Sequence, residues 1–220
     1  MSRFRSLQPL TALLLTVAIA PWGFAQELAP SIDDIQPVAV GDRAPAFTAY
    51  QADATPWDFD PASLEQPALI VFYRGGWCGA CNQQLQDLAA VMPDFAAIGV
   101  DVLFPNGDRP EILYSSLKPE TKLAIEGLDY FLLSDSDLGV ARAFGVAYVL
   151  ADDVLTRYRA REHWDLAGSS IDKHDALPLP SIFLVDTDGV VAFRYYDPDP
   201  RVRMPADSLL EAVKQAVAGD

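Results

Sequence analysis

The feature that most constrains the fold is the nine-residue run YRGGWCGAC at residues 73–81, which holds the only two cysteines of the chain. An unbroken apolar run precedes it at residues 68–72, as expected of a central strand buried on both faces of a sheet. Apolar residues spaced by three and four follow it, which predicts a helix over residues 77–98 that Pro93 divides. The two cysteines are therefore predicted to lie where a strand passes into a helix.

Two thiols at this spacing and in this setting predict redox chemistry. Disulfide exchange needs a thiolate, and Cys78 falls at the start of the helix, where free backbone N–H groups and the helix dipole favour negative charge. Cys81 lies one helical turn further on, so it can resolve a mixed disulfide formed by Cys78. Trp77 is expected to form an apolar lip beside the thiols. We therefore predict a thiol–disulfide oxidoreductase in which Cys78 attacks and Cys81 resolves.

Two other uses of the cysteines have to be weighed. A structural disulfide is the first, but a bridge that closes so short a loop gains little from chain entropy. A zinc site is the second, and it needs His163 and His174, which show no recognisable ligand spacing. The run Asp186–Gly189 lacks the glutamate of a calcium loop and is predicted to be a hairpin turn. We expect no metal and, since no glycine-rich phosphate loop follows a predicted strand, no nucleotide cofactor.

The charge of the chain limits its partners. Sixteen Lys and Arg against 31 Asp and Glu give a net charge of −15. A surface of this kind repels phosphate backbones and anionic lipids, so nucleic acid is not an expected partner.

Residues 1–25 are predicted to be a secretory signal peptide, with cleavage after Ala25. Arg3 and Arg5 form a basic start, and the apolar run at residues 10–20 is shorter than the roughly 20 residues that a membrane-spanning helix needs. An uncleaved anchor is the alternative. We expect a periplasmic or secreted protein without stable membrane insertion after cleavage, in a compartment where thiols tend to be oxidised.

The rest of the chain predicts one further domain. Residues 26–40 contain two prolines and no periodicity, which predicts a flexible lead-in, and residues 41–218 form the folded domain. Strands alternate with helices before a hairpin over residues 181–195 and a closing helix over residues 207–218, with Asp207 as its cap. This order predicts an α/β fold with a mixed central sheet and helices on both faces.

Several intermediate elements are predicted less distinctly. Asp135 or Asp137 is expected to cap a helix near residue 140. Strands, helices, a turn-rich connection and a polar loop make up the remainder. The strands are predicted at residues 46–50, 99–104 and 131–133, the helices at 110–127 and 154–161, the connection at 55–66 and the loop at 163–175.

The motifs also resemble a known family. Residues 77–81 resemble the thioredoxin active-site pentapeptide, with Ala80 in place of its proline. Residues 72–82 resemble the Phe-Tyr-Arg-Gly-Gly-Trp-Cys-x-x-Cys-Asn motif of the peroxiredoxin-like branch of the alkyl hydroperoxide reductase C / thiol-specific antioxidant (AhpC/TSA, redoxin) family. Later motifs of that branch are matched at residues 134–145, 179–189 and 197–204, so that the resemblance covers residues 41–217.

This resemblance implies a thioredoxin-like fold and an antioxidant activity in which peroxides or disulfides are reduced and an external thiol restores the enzyme. It also implies that Pro180 follows a cis peptide bond and faces the cysteines. An ordinary proline at the start of a strand is the alternative for Pro180.

The chain departs from both family patterns. The peroxiredoxin motif is Pro-x-x-x-Thr-x-x-Cys with a distant arginine. In this chain its proline falls on Arg74, its threonine on Cys78 and its cysteine on Cys81, while the arginine falls on Pro180. Only the cysteine is retained. Arg74 either lowers a thiol pKa in their place or points into solvent. The two patterns disagree about which cysteine attacks. Thioredoxins also bury an aspartate on the strand that precedes the site, whereas residues 69–72 contain no acid.

Three functions follow from these observations. The first is a peroxidase of low to moderate efficiency, and the second is a periplasmic thioredoxin-like disulfide reductase without significant peroxidase activity. The third is a binding protein that has lost the chemistry, against which the intact cysteine pair argues.

Overall fold

The computed structural model describes residues 27–219. Nine strands and seven α-helices follow one another along this part of the chain. The strands are β1 Phe47–Tyr50, β2 Pro56–Phe59, β3 Ala68–Phe72, β4 Asp101–Asn106, β5 Phe131–Ser134, β6 Ala147–Val149, β7 Ala176–Pro178, β8 Ser181–Val185 and β9 Val191–Tyr196. The helices are α1 Gly79–Ala89, α2 Met92–Ala97, α3 Pro119–Ile125, α4 Gly139–Ala143, α5 Asp152–Arg159, α6 Ser170–His174 and α7 Ala206–Ala218, with 3₁₀ turns at Ile32–Asp34 and Pro110–Ile112.

The central sheet has seven strands in the order β2-β1-β5-β4-β3-β8-β9, and β6 pairs with β7 separately. Strands β3, β4 and β5 are parallel, whereas the other neighbours in the sheet are antiparallel. Strand β3 lies between β4 and β8 and is buried along its whole length, as its apolar sequence predicts. The predicted mixed sheet is confirmed.

Alternate residues of β3 enter two separate cores. Ile70 and Phe72 pack in the core that α4 and α6 cover, whereas Leu69 and Val71 pack in the core that α1, α2 and α7 cover. Because side chains alternate between the faces of a strand, an unbroken apolar run requires cover on both sides. Helices therefore lie on both faces of the sheet, as predicted. No helix within residues 27–219 is long and apolar enough to cross a membrane.

Several predicted elements differ from the structure at prolines and short segments. Pro93 divides the first helix into α1 and α2 as expected. The predicted connection at residues 55–66 contains β2, which begins at Pro56 on the sheet edge, where a missing N–H is tolerated. The predicted loop at residues 163–175 contains α6, and a break before Pro119 separates the 3₁₀ turn from α3. Asp207 is not the cap of α7, because Pro205 precedes that helix.

The segment predicted to be a flexible lead-in is hydrogen-bonded to the domain. The backbone of Ala29 bonds to the strand β6, and Gln36 and Val38 donate to the carbonyls of Gly145 and Phe144. Arg194 of β9 also donates to the carbonyls of Pro37 and Val38. Residues 29–38 therefore pack as part of the fold, which corrects this expectation. The predicted signal peptide at residues 1–25 lies outside the described residues.

The start of α4 gives a testable prediction. Leu138, and neither predicted aspartate, occupies its N-cap position, but Asp135 accepts N–H groups of the first turn. The buried Asp135 carboxylate accepts the N–H groups of Val140 and Ala141 at 2.9 and 2.8 Å. We predict that Asp135→Ala lowers the free energy of unfolding by about 2–3 kcal/mol, because two buried N–H groups lose their acceptor. Urea denaturation measures this. Asp137→Ala is the control: its exposed side chain pairs with Lys173, and a change above about 1 kcal/mol there would contradict the assignment.

Candidate active site

The turn between β3 and α1 requires glycine at two positions. A Cβ on Gly75 would lie 2.5 Å from both Asp108 Oδ1 and Trp77 Nε1, and its φ is +156°. A Cβ on Gly76 would overlap the Ser116 side chain. The two glycines therefore let the chain pass between these side chains and enter α1.

Two buried polar side chains hold this turn. Asp108 Oδ2 accepts the Gly76 N–H at 2.7 Å and the Ser116 hydroxyl at 2.9 Å. Asn82 Nδ2 donates to the carbonyls of Gly76 and Cys78 at 2.6 and 3.0 Å. Both backbone polar groups of Gly76 are thereby satisfied, and the turn is tied to β4 and α1.

Cys78 and Cys81 form a disulfide at the start of α1. Cys78 is the N-cap residue of the helix, and its Sγ accepts the Cys81 N–H at 3.2 Å. The Arg74 Nη2 donates to the same sulfur, also at 3.2 Å. Cys78 is 2% exposed and Cys81 is 0% exposed. Cys78 thus has two donors aimed at its sulfur, as a stabilised thiolate requires.

A second guanidinium approaches the other sulfur. Arg203 Nη2 lies 3.9 Å from Cys81 Sγ, and Arg203 Nε donates to Gln84 Oε1 at 2.8 Å. Burial and then the positive charge of Arg74 lower the pKa of Arg203 to about 10. The disulfide is therefore flanked by one arginine at each sulfur. Sequence reasoning included Arg203 only in a resembling motif and gave no signal for its place at Cys81.

Trp77 is part of an aromatic cluster beside Arg74. Its ring lies 5.4 Å from that of Tyr158 and 4.5 Å from that of Trp164. The Arg74 guanidinium lies 5.8 Å from the Trp77 ring and donates to the Tyr158 hydroxyl at 2.9 Å. The position of Arg74 is thus fixed by aromatic neighbours, and of its two predicted positions the structure has the one at a thiol.

Pro180 lies in the buried link between β7 and β8. Its neighbour Ser181 pairs with Phe72, which places Pro180 at the end of the sheet where the redox turn begins. No peptide bond within residues 27–219 is cis, so the prediction of a cis bond before Pro180 is wrong. In this link from β7 to β8 the Leu179 N–H donates to the Val146 carbonyl at 2.8 Å.

A buried acid, absent from β3, is found just after the neighbouring strand β4. Asp108 follows β4, and burial raises its pKa to about 6 despite hydrogen bonds from Gly76 and Ser116. Its Oδ1 is buried without a hydrogen-bond partner among the described residues. Sequence reasoning missed this residue because it searched only the strand that precedes the cysteines.

The two histidines do not join the cysteines in a metal site. His174 Nε2 lies 3.8 Å from Asp137 Oδ1, and the His163 ring meets the Trp164 ring edge to face. Within residues 27–219, no group of three or more His, Cys, Asp or Glu side chains is arranged to hold a metal ion.

Comparison with known proteins identifies the family of this site. The model of the AhpC/TSA family matches residues 40–194. The chain belongs to the AhpC/TSA family. It is therefore an oxidoreductase of the thiol-dependent peroxidase class, whose general partners are a peroxide and a reducing thiol.

Individual relatives agree with this membership. A putative peroxiredoxin of Mycobacterium tuberculosis is 28% identical over 158 residues, which cover 71% of this chain and 84% of that protein. Peroxiredoxin Bcp of Escherichia coli K12 is 31% identical over 112 residues, which cover 51% of this chain and 67% of Bcp. The crystal structure of a peroxiredoxin-like protein from Aquifex aeolicus superposes with a TM-score of 0.58 at 18% identity, covering 82% of this chain and 89% of that one. The predicted thioredoxin-like fold is confirmed.

The buried Asp108 gives a prediction about pH. Its folded-state pKa of about 6 lies above the ordinary value of 3.8, so its contribution to stability is complete below pH 3.8 and is lost as the pH rises through 6. We predict that the free energy of unfolding falls between pH 5 and 7.5 by roughly 1 kcal/mol more in the wild type than in Asp108→Asn. Urea denaturation at both pH values measures this difference.

The comparison with Asp108→Asn isolates one carboxyl. Asp135, whose pKa burial raises to about 7, titrates in both proteins and cancels from the difference. Equal pH dependence in the two proteins would show that Asp108 does not hold a proton in the folded state.

Proposed function

We propose that this protein is an antioxidant thiol peroxidase in which Cys78 and Cys81 cycle between a dithiol and a disulfide. The Cys78 thiolate attacks the distal oxygen of the peroxide, the O–O bond breaks, and the sulfur becomes a sulfenic acid. The alkoxide or hydroxide that leaves takes up one proton and departs as an alcohol or water. The Cys81 thiol then attacks the Cys78 sulfur, forms the disulfide and releases water. Two equivalents of an external thiol reduce the disulfide and become oxidised to their own disulfide.

The observation that carries this proposal is the pair of donors at Cys78. The Cys81 N–H and the Arg74 guanidinium both lie 3.2 Å from Cys78 Sγ. Both interactions strengthen when the sulfur carries a negative charge, so they favour the Cys78 thiolate over the thiol. Cys81 is fully buried, and the guanidinium near its sulfur, that of Arg203, is more distant at 3.9 Å. These contacts favour Cys78 as the attacking cysteine and Cys81 as the resolving one.

Arg74 stabilises negative charge during the attack of the Cys78 thiolate on the peroxide. The threonine and arginine positions of the peroxiredoxin pattern are occupied here by Cys78 and Pro180, which do not supply that charge stabilisation. A guanidinium at the attacking sulfur supplies part of the electrostatic stabilisation that such donors give. We therefore expect peroxide reduction to be slower than in enzymes with the complete set.

The competing function is a periplasmic disulfide reductase without peroxidase activity. The comparisons give it no support, and a disulfide whose two cysteines are 2% and 0% exposed is poorly accessible to a bulky protein partner. Action outside the cytoplasm is nevertheless part of this proposal, and it rests on the predicted signal peptide at residues 1–25 alone.

The assignment of the two cysteines is tested by separate substitution. We predict that reduced Cys81→Ser consumes one equivalent of hydrogen peroxide and retains a sulfenic acid that dimedone labels, because the attacking thiolate has lost only its resolving partner. Cys78→Ser is expected to react at least about a hundredfold more slowly, because the Cys81 sulfur lacks the two close donors that Cys78 has. Mass spectrometry of the labelled protein distinguishes them. Sulfenic acid formed in Cys78→Ser and absent from Cys81→Ser would reverse the assignment.

Substitution of Arg74 tests the source of the activation. We predict that Arg74→Gln raises the pKa of the Cys78 thiol by at least about one unit. At a pH below the Cys78 thiol pKa of both the variant and the protein that keeps Arg74, the thiolate fraction of the variant is about tenfold lower. The rate constant with hydrogen peroxide should then fall about tenfold. Thiolate absorbance at 240 nm against pH, in the Cys81→Ser background, measures the pKa.

Two further variants separate charge from packing. Arg74→Lys keeps the charge and should recover part of the pKa shift. Arg159→Gln removes an exposed arginine that pairs with Asp175 away from the disulfide, and it should leave the thiol pKa unchanged. If the Cys78 thiol pKa in Arg74→Gln is the same as in the protein that keeps Arg74, the activation would be assigned to the helix terminus instead.

A further inference from the structure

A groove beside the disulfide concentrates positive charge on an acidic protein. It has a volume of about 420 Å³ and is formed by the lead-in, β6, α5 and the segment after β9. We call it the arginine groove. Its polar and aromatic walls include Arg74, Arg157, Arg161, Arg201, Tyr158 and Trp164.

The charge of the arginine groove is only partly compensated. Arg157 and Arg201 pair with Asp153 and Asp199 at 3.1 and 2.7 Å. Within residues 27–219, no carboxylate lines the groove, and the ion pairs include neither Arg74 nor Arg161. Arg161 lies 5.5 Å from the Trp164 ring, and Arg74 Nε is buried without a hydrogen-bond partner in this part of the chain. Among the described residues these two guanidiniums thus have no carboxylate partner, in a protein whose net charge is −15.

The groove and the attacked sulfur share one residue. Arg74 lines the groove, and its Nη2 lies 3.2 Å from Cys78 Sγ, although neither cysteine is a lining residue. We call the end of the groove at Arg74 its inner end. The structure is that of the disulfide form, which reacts with reductants and not with peroxides. Because Cys78 is 2% exposed, a reductant that enters as a small molecule meets less hindrance than the surface of a folded protein. The groove therefore suits the molecule that reduces the disulfide.

We propose that the arginine groove binds a low-molecular-weight thiol that carries carboxylates and directs its thiolate to Cys78. This inference rests on the proposed function, because it names the reductant of the same cysteine pair. Arg161 holds a carboxylate at the outer end, and Arg74 attracts the thiolate at the inner end. The apolar wall of Tyr158 and Trp164 contacts the carbon skeleton between them.

The reaction balances with two molecules of the thiol. The first thiolate attacks Cys78 Sγ and forms a mixed disulfide, and the electron pair of the broken S–S bond goes to Cys81 Sγ. Arg203, 3.9 Å from that sulfur, stabilises the thiolate that leaves. A second thiolate attacks the sulfur of the bound thiol, so that a small-molecule disulfide leaves and Cys78 regains its thiolate beside Arg74.

The test compares matched thiols on the full-length oxidised protein. The disulfide is formed with diamide, and its reduction by glutathione or by glutathione diethyl ester is followed by tryptophan fluorescence and by alkylation of protein thiols after acid quench. Rates are expressed per thiolate, since esterification changes the thiol pKa. Glutathione, which carries two carboxylates, should react about tenfold faster than its diethyl ester, which carries none, because a cationic cleft raises the local concentration of anions. The ratio should fall towards one at 1 M salt.

A pair of arginine variants localises the effect. Arg161→Gln should reduce the preference for glutathione at least about threefold. Arg159→Gln, which removes a cation two residues away along the chain and outside the groove, should keep it. A second pair, 3-mercaptopropionate and 2-mercaptoethanol, should repeat the order with smaller ligands.

Three results would overturn this inference. They are equal rates per thiolate for glutathione and its ester, a full preference in Arg161→Gln, and reduction by a thioredoxin-type protein dithiol that is faster than by glutathione and insensitive to Arg161→Gln. The proposed function is judged separately by the oxidation of the reduced protein with hydrogen peroxide. Inertness to peroxide with an intact thiol preference would remove the peroxidase function and leave the reductant site.

Discussion

The site depends on how two buried polar side chains hold one glycine. The Gly76 N–H donates to the Asp108 carboxylate, and the Gly76 carbonyl accepts from the Asn82 amide. Neither backbone group is therefore buried without a partner. Asp108 follows β4 and Asn82 belongs to α1, which means that the sheet and the helix are both fixed relative to the turn. The position of the sulfurs follows from this constraint, because Cys78 is separated from Gly76 by a single residue and caps the helix that Asn82 anchors.

The same turn decides the electrostatics of the disulfide. Arg74 belongs to the turn and reaches Cys78, whereas Arg203 comes from the segment after β9 and reaches Cys81. The two guanidiniums repel each other, which contributes to the lowered pKa of Arg203. A disulfide carries no charge that could offset this repulsion, whereas the negative charges of two thiolates offset it. The arginines therefore favour the reduced, ionised state, and they assist both the attack on peroxide and the departure of Cys81 when the disulfide is reduced.

The sequence predicted those elements whose signal is local. Strand β3, the division at Pro93 and the hairpin of β8 and β9 all follow from residues within one short window. Strand β2 was missed because a proline at a sheet edge looks like a turn, and α6 because five residues give no clear period. The packing of the lead-in was missed because its hydrogen-bond partners, such as Gly145 and Phe144, lie more than a hundred residues away along the chain.

The site shows the same division between local and distant information. Cys78, Cys81 and Arg74 lie within eight residues, so spacing alone brought them together. Asp108 and Arg203 lie outside that window and have no such signal. The acid that thioredoxins carry on the preceding strand is absent from β3, and a buried carboxyl is found at Asp108, after β4. The peroxiredoxin arginine falls on Pro180, and the guanidinium at Cys81 comes instead from Arg203. A charge beside a sulfur is set by distance in space, so a motif aligned by position along the chain can lose the residue while the fold keeps the charge.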